Sequence, residues 1–184
     1  MPNTFTIVTA GGGASAVREM MITYLDTGTA DAPVWSAMGA KVAEGTIEYD
    51  WGAETKTDIL GNVYTSAKSA QMKQTFSGGE IIAGDIVMNH LVDLAIVQKD
   101  AARLVNQDCL IVHTYLQNDD GAAFAERYPA SAVIPSSLGG EGGAALVTDI
   151  DVTFGGKRVI GTAKVGNDGV TFTPEAAAAA NAEE

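Results

Sequence analysis

From Leu146 to Phe154 the side chains alternate between two faces. Thr148, Ile150, Val152 and Phe154 fall on one side, and Asp149, Asp151 and Thr153 on the other. A period of two is the repeat of a strand with one face buried and one face wet. Gly155-Gly156 reads as a two-residue hairpin turn, from which Lys157 to Val165 returns. Asn167-Asp168-Gly169 then turns into Val170-Thr171-Phe172-Thr173, closed by Pro174. The same period governs Thr46 to Trp51: Ile47, Tyr49 and Trp51 oppose Thr46, Glu48 and Asp50, which predicts a second half-buried strand.

Other short runs fit this pattern. Met21 to Leu25 is a strand followed by the turn signal Asp26-Thr27-Gly28, and Val34 to Met38 is a strand ended by Gly39. Residues 52–60 are read as a polar exposed loop or hairpin tip between Gly52 and Gly61. Asn62 to Ser66 and Gln71 to Phe76 follow as strands, the second ended by Gly78-Gly79. Cys109 to Leu116 is a strand with Asn118-Asp119-Asp120-Gly121 as its turn. Phe124 to Ile134 is extended. One helix interrupts the strands, at about 85–98. Asp85 is its N-cap, Ile86, Val87, Leu91, Leu94 and Ala95 its apolar stripe, and Asn89, His90 and Asp93 its polar side. The expected fold is mainly β, an antiparallel sandwich or barrel with one flanking α-helix.

The 184 residues suffice for one domain with a full core. Residues 1–19 read as an N-terminal arm or linker, 20–174 as the β domain, and the alanine-rich 175–184 as a mobile tail. The first basic residue is Arg18, so a basic secretory start is not expected, and no apolar run reaches the length of a membrane span. A single cysteine, Cys109, allows no intrachain disulfide. The formal net charge of −12 opposes a surface built to grip nucleic acid, and suits one that repels phosphate.

Candidate chemistry is sparse. Gly11-x-Gly13-x-x-Ala16 follows an apolar run and fits the dinucleotide fingerprint, but no acid on a second strand follows about 20 residues on, and Asp31 sits in a turn-rich segment. A flexible glycine linker is the simpler reading. His90, Cys109 and His113 do not form a metal set, so neither metal nor cofactor is expected. The pairs Glu48/Asp50 and Asp149/Asp151 lie at i and i+2 on polar strand faces, the usual mark of a solvated face. No catalytic motif emerges.

The order of segments resembles that of phage tail-tube (major tail) proteins. Phe154-Gly155-Gly156-Lys157-Arg158-Val159-Ile160-Gly161-Thr162, then Val170-Thr171-Phe172-Thr173-Pro174, is similar to the close of such subunits. Met21 to Gly28 with Trp35 is similar to their start, and the resemblance covers about residues 20–174. It implies a structural virion protein, not an enzyme, assembled in a bacterial host cytoplasm into the tail. Its subunits form stacked hexameric rings whose strands join around a lumen that conducts double-stranded DNA. The implied partners are further copies of itself and tape-measure, terminator and baseplate or tip proteins, with no membrane. Glu48, Asp50, Asp149 and Asp151 are then candidates for lumen lining. The loop bearing Gly52, Glu54, Lys56 and Asp58, the N-terminal arm and Gly139 to Gly143 are candidates for ring stacking. The competing readings are a head-decoration or adhesin-like module and, on Gly11 and Gly13, a nucleotide-binding enzyme.

Overall fold

A computed structural model describes residues 4–9, 11, 13–29, 32–42, 44–166 and 169–175. Gly12, Asp31, Asn167, Asp168 and the expected mobile tail beyond Glu175 lie outside the described residues. Ten strands form one antiparallel assembly: β1 (Thr6–Ile7), β2 (Met21–Asp26), β3 (Trp35–Ala37), β4 (Glu44–Asp50), β7 (Gln71–Glu80), β8 (Gln107–Gln117), β9 (Ala123–Pro135), β10 (Val147–Thr153), β11 (Val159–Gly166) and β12 (Gly169–Pro174). Two more, β5 (Glu54–Thr57) and β6 (Val63–Ser66), pair only with each other. The mainly β antiparallel fold is the one the alternation predicts.

Strand β9 joins two sheets. One of its edges pairs with β8, from Ala123 to Ser131. Its other edge pairs first with β11, over Ala123 to Arg127, and then with β10, over Ala132 to Pro135. The first sheet therefore runs β3-β2-β8-β9-β11-β12, and the second β9-β10-β7-β4. Gly155-Gly156 is thus not the hairpin turn that its sequence suggested. β10 and β11 never pair, and the glycines carry the chain past β9 from one sheet to the other. A Cβ on Gly155 would lie 2.4 Å from the Ala130 carbonyl oxygen, so only glycine fits this crossing. The expected hairpin of β11 with β12 does form, from Gly161↔Pro174 to Gly166↔Gly169.

The main core lies between the sheets and under the helix. Leu25, Phe76, Ile111, Val133, Ile150 and Val152 meet Val87, Met88, Leu91 and Leu94 there. The helix α1 (Ile86–Val92) starts where Asp85 accepts a hydrogen bond from the Met88 amide at 2.9 Å. It continues as a π-helical turn, Asp93–Gln98, and stops at Lys99, whose φ of 52° is left-handed. Met88 replaces Ile86 in the buried stripe, and Ile86 faces outward. A second short helix, α2 (Ala101–Leu104), was not foreseen. The first sheet curls until β12 lies beside β3. Small residues on its concave side, Ala123, Ala125 and Ala163, allow the curl and pack with Tyr24, Leu110 and Val112 in a second core.

Strand β7 does not end at Gly78-Gly79. It runs to Glu80 across a bulge opposite Thr148 and Ile150, where Gly78 takes a φ of 66°. The predicted half-burial of β4 fails at its far end. Ile47 packs against the core, but Tyr49 and Trp51 are 47% and 56% exposed and stack on each other at 6.4 Å. The β4–β7 ribbon outruns the sandwich there, so its apolar face has no core to meet.

A buried polar cluster, not foreseen either, ties β8, β9 and the start of β11 together. The Glu126 carboxylate accepts from Tyr128 Oη at 2.8 Å, from Arg158 Nε at 2.5 Å and from His113 Nε2 at 3.1 Å. A carboxylate only accepts, so His113 Nε2 carries a proton, and Nδ1 pairs with the Tyr115 hydroxyl at 3.0 Å. Burial pushes the Glu126 carboxyl up, but the hydrogen bonds from His113 and Tyr128 and the Arg158 charge outweigh it and hold it below its ordinary 4.5. Burial, then Glu126, push the Tyr128 hydroxyl up, which keeps it a donor.

Two predictions follow from these contacts. Gly155→Ala drives a methyl into the Ala130 carbonyl and should cost about 1–3 kcal/mol, read as a lower urea midpoint at unchanged slope. Because Glu126 is more acidic folded than unfolded, its charge adds stability above pH 4.5 that is lost as the pH falls below that value and through the lower folded one. Glu126→Gln should remove on the order of 2 kcal/mol at neutral pH, a modest figure since Arg158 is half exposed. It should also flatten the acid limb of a stability–pH curve; an unchanged limb would show that the cluster does not titrate with folding.

Candidate assembly surface

The register places both predicted carboxylate pairs on one face of the second sheet. In β4 and β7 Glu48 lies opposite Lys73 and Asp50 opposite Gln71. Across β7, Lys73 meets Thr153 and Thr75 meets Asp151 in β10. Among the described residues, the outward face carries Glu44, Glu48, Asp50, Asp149 and Asp151 around the ammonium of Lys73, and at the far end of β7 Glu80, opposite Val147, pairs with Lys41 at 3.8 Å. The opposite residues of the same strands, Met72, Phe76, Ile150 and Val152, enter the core. Strict alternation makes this separation of charge from core automatic.

The four predicted carboxylates are not equivalent. Asp151 accepts from Thr75 Oγ1 at 3.0 Å. Asp149 sits at the bulge, accepting from the Gly78 amide at 2.7 Å and from Ser137 Oγ at 2.9 Å, and these bonds hold its carboxyl below the usual carboxylate range. It braces the bulge while it contributes charge. Glu48 and Asp50 line a polar hollow with Gln71 and Lys73.

The segment read as a polar exposed loop or hairpin tip is a projecting hairpin ribbon, apolar at its tip. The Lys68 amide donates to the Trp51 carbonyl at 2.9 Å and carries the β4–β7 pairing outward to β5 and β6, which pair from Glu54↔Ser66 to Thr57↔Val63. Among the described residues no third strand joins them. Gly52 turns at the base with a φ of 49°, and Lys56 Nζ lies 3.1 Å from Glu54 Oε2. Asp58 closes the tip: its carboxylate accepts from the Leu60 and Asn62 amides, both at 2.8 Å, and from Asn62 Nδ2 at 2.9 Å. The Asn62 side chain, then the backbone amides, hold this exposed carboxyl low. Gly52, Glu54, Lys56 and Asp58 thus build the ribbon. The residues that it displays are apolar: Ile59 and Leu60 are 102% and 82% exposed, with Val63 and Tyr64 behind them. The sequence signal was there, an Ile-Leu pair between Asp58 and Gly61, but the polar flanks masked it.

The other predicted features separate. Gly11, Gly13 and Ala16 lie in the exposed connection that leads from β1 to a three-residue 3-10 turn, Arg18–Met20. A pyrophosphate site needs a helix N-terminus directly after the glycines, and none stands there. The arm docks by its own β1 on β8, Ile7 opposite Leu116, with the Phe5 ring edge-on to Phe124 at 5.1 Å. Gly139 bridges to Val147 beside β10. His90 bonds Gln107 Oε1 at 3.0 Å, and His113 belongs to the buried cluster.

No protein-family model matches the chain, and no curated protein does. Among solved structures, it is similar to a chain of an extracellular contractile injection system, the PVC sheath-tube complex in its extended state. That chain is 12% identical with a TM-score of 0.44, over 77% of this chain and 88% of that one. It is also similar to a chain of the anti-feeding prophage cap, described as the AFP tube terminating cap, at 16% identity and a TM-score of 0.43 over 84% and 99%. A chain of the PVC sheath/tube terminator in its extended state is 12% identical, with a TM-score of 0.45 over 82% and 99%. Likeness at this level is one of chain course alone.

Proposed function

We propose that this chain is a tail-tube subunit: copies of it form rings, hexameric as in the family it resembles, and the rings stack into a tube that conducts double-stranded DNA. The observation that carries the reading is the ribbon 54–66. A lone two-stranded ribbon is marginal in water, and this one ends in two exposed aliphatic side chains. Exposed apolar surface on a projecting arm calls for a covering partner, and a further copy is the partner that a self-assembling chain always has. Within the ring, the acidic face of β4, β7 and β10 is assigned to the lumen, where Glu48, Asp50, Asp149 and Asp151 repel DNA phosphates and keep the duplex sliding. The domain that makes the ring is 20–174, with 1–19 as its arm. Tape-measure, terminator and baseplate or tip proteins are the expected partners at the tube's ends, in a particle assembled in the host cytoplasm.

Negative-stain electron microscopy of the purified protein, fresh and after concentration, should show rings or hollow tubes. Ile59→Asp with Leu60→Asp should leave a folded subunit, with an unchanged far-ultraviolet spectrum, that makes no tubes. Small monodisperse particles at every concentration, unaltered by the double substitution, would favour a decoration or adhesin-like module. Glu48→Lys, Asp50→Lys and Asp151→Lys together should still assemble, and should slow DNA release from reconstituted particles. Release at the unsubstituted rate would remove these residues from the lumen.

A further inference from the structure

The β4–β7 ladder has two ends. It runs from Glu44↔Ser77 to Asp50↔Gln71, and the ribbon 54–66 continues from the second end. At the first end lies an apolar hollow of about 410 Å3. Met38 and Phe76 are buried in its floor, and Met21, Ile22 and Val42 stand along its walls. The hollow sits between the edges of β2 and β4. Arg18 bridges those edges, its Nε donating to the Gly45 carbonyl at 2.8 Å and its Nη1 to the Met21 carbonyl. Gly45 to Asp50 spans about 17 Å of strand, so projecting tip and open hollow are held apart by a rigid ladder and cannot meet within one copy.

We infer that the tip Ile59–Leu60 of one copy seats in the hollow of Arg18, Met21, Ile22, Met38, Val42 and Phe76 of a second copy, which rests on the tube reading above. Knob and socket occupy opposite ends of the same ribbon. Their union is heterologous, so it cannot satisfy both ends of an isolated pair, and between stacked rings it repeats along the tube axis. The charges agree. Asp58 stands at the base of the knob, and Arg18 at the socket uses two of its five N–H donors. Glu19 lines the same hollow and sets a like charge toward Asp58, so the knob is steered to the Arg18 side. Size points the same way. A tip of two side chains buries far less than the roughly 1,200–2,000 Å2 of a stable isolated pair. A single union is therefore weak, and it holds only when the copies of one ring engage those of the next together.

Cysteine pairing tests the contact. Leu60→Cys is combined with Ala40→Cys, an exposed residue lining the hollow, and in a second variant with Ala37→Cys, also exposed and lining it. The native Cys109 remains, because it is fully buried and burial pushes its thiol up to about 12. Mild oxidation of the assembled protein should convert most of the chain to a ladder of disulfide-linked multimers on a non-reducing denaturing gel. Leu60→Cys alone should give none. Tubes without a ladder from either variant overturn this contact and leave the tube reading standing. So does a ladder that appears only with Leu138→Cys, which lines a separate hollow beside the helix. A ladder on concentration without tubes keeps the contact and removes the tube reading. Neither ladder nor tubes overturns both.

Discussion

The whole architecture depends on one strand keeping three neighbours. β9 pairs with β8 along one edge and divides the other between β11 and β10. A strand edge can serve two partners only in succession, so the chain must leave β10 and cross over before β11 begins. Gly155 makes that crossing against the Ala130 carbonyl. The buried Glu126 cluster then fastens Arg158, at the start of β11, to the same strand. The core between the sheets and the second core inside the curl both follow from this shared strand.

Period-two patterning then does double service in the second sheet. The residues that fill the core and those that carry charge are neighbours in the chain and opposites in space. Burial of Met72, Phe76, Ile150 and Val152 fixes the register. A fixed register aligns Glu48, Asp50 and Asp151 in neighbouring rows around Lys73. A one-residue slip would bury these carboxylates, so the acidic face is as firmly specified as the core itself.

Beyond the sandwich the same ribbon continues with nothing beneath it. Tyr49, Trp51, Ile59, Leu60, Val63 and Tyr64 are apolar and exposed because the ladder outruns its own core. At the other end of that ladder two strand edges leave a hollow between them. Both features have the same cause, two sheets of unequal reach that share a strand. Their stagger gives one molecule a projecting end and a receiving end.

Local patterning in the chain settled the strands other than β1 and β5, the faces of β10 and most of β4, the Asp85 cap and the antiparallel class. Each depends on residues close together in the chain, where period and turn chemistry act directly. It also marked the four carboxylates. It did not reveal that β4 and β10 would present them on one face, because that follows from β7 lying between them. Gly155-Gly156 carries a hairpin signal, yet tertiary pairing made it a crossing, since β10 and β11 each pair with successive stretches of the same β9 edge instead of with each other. Glu126, His113, Tyr128 and Arg158 are scattered along the chain, and only the pairing of β8, β9 and β11 brings them together. Ile59 and Leu60 sit in a segment whose polar flanks read as an exposed loop or hairpin tip. That exposure was legible, but the pairing of β5 with β6 beyond the sandwich is what makes these two aliphatic side chains a projecting tip, because it sets them where the sheets no longer overlap.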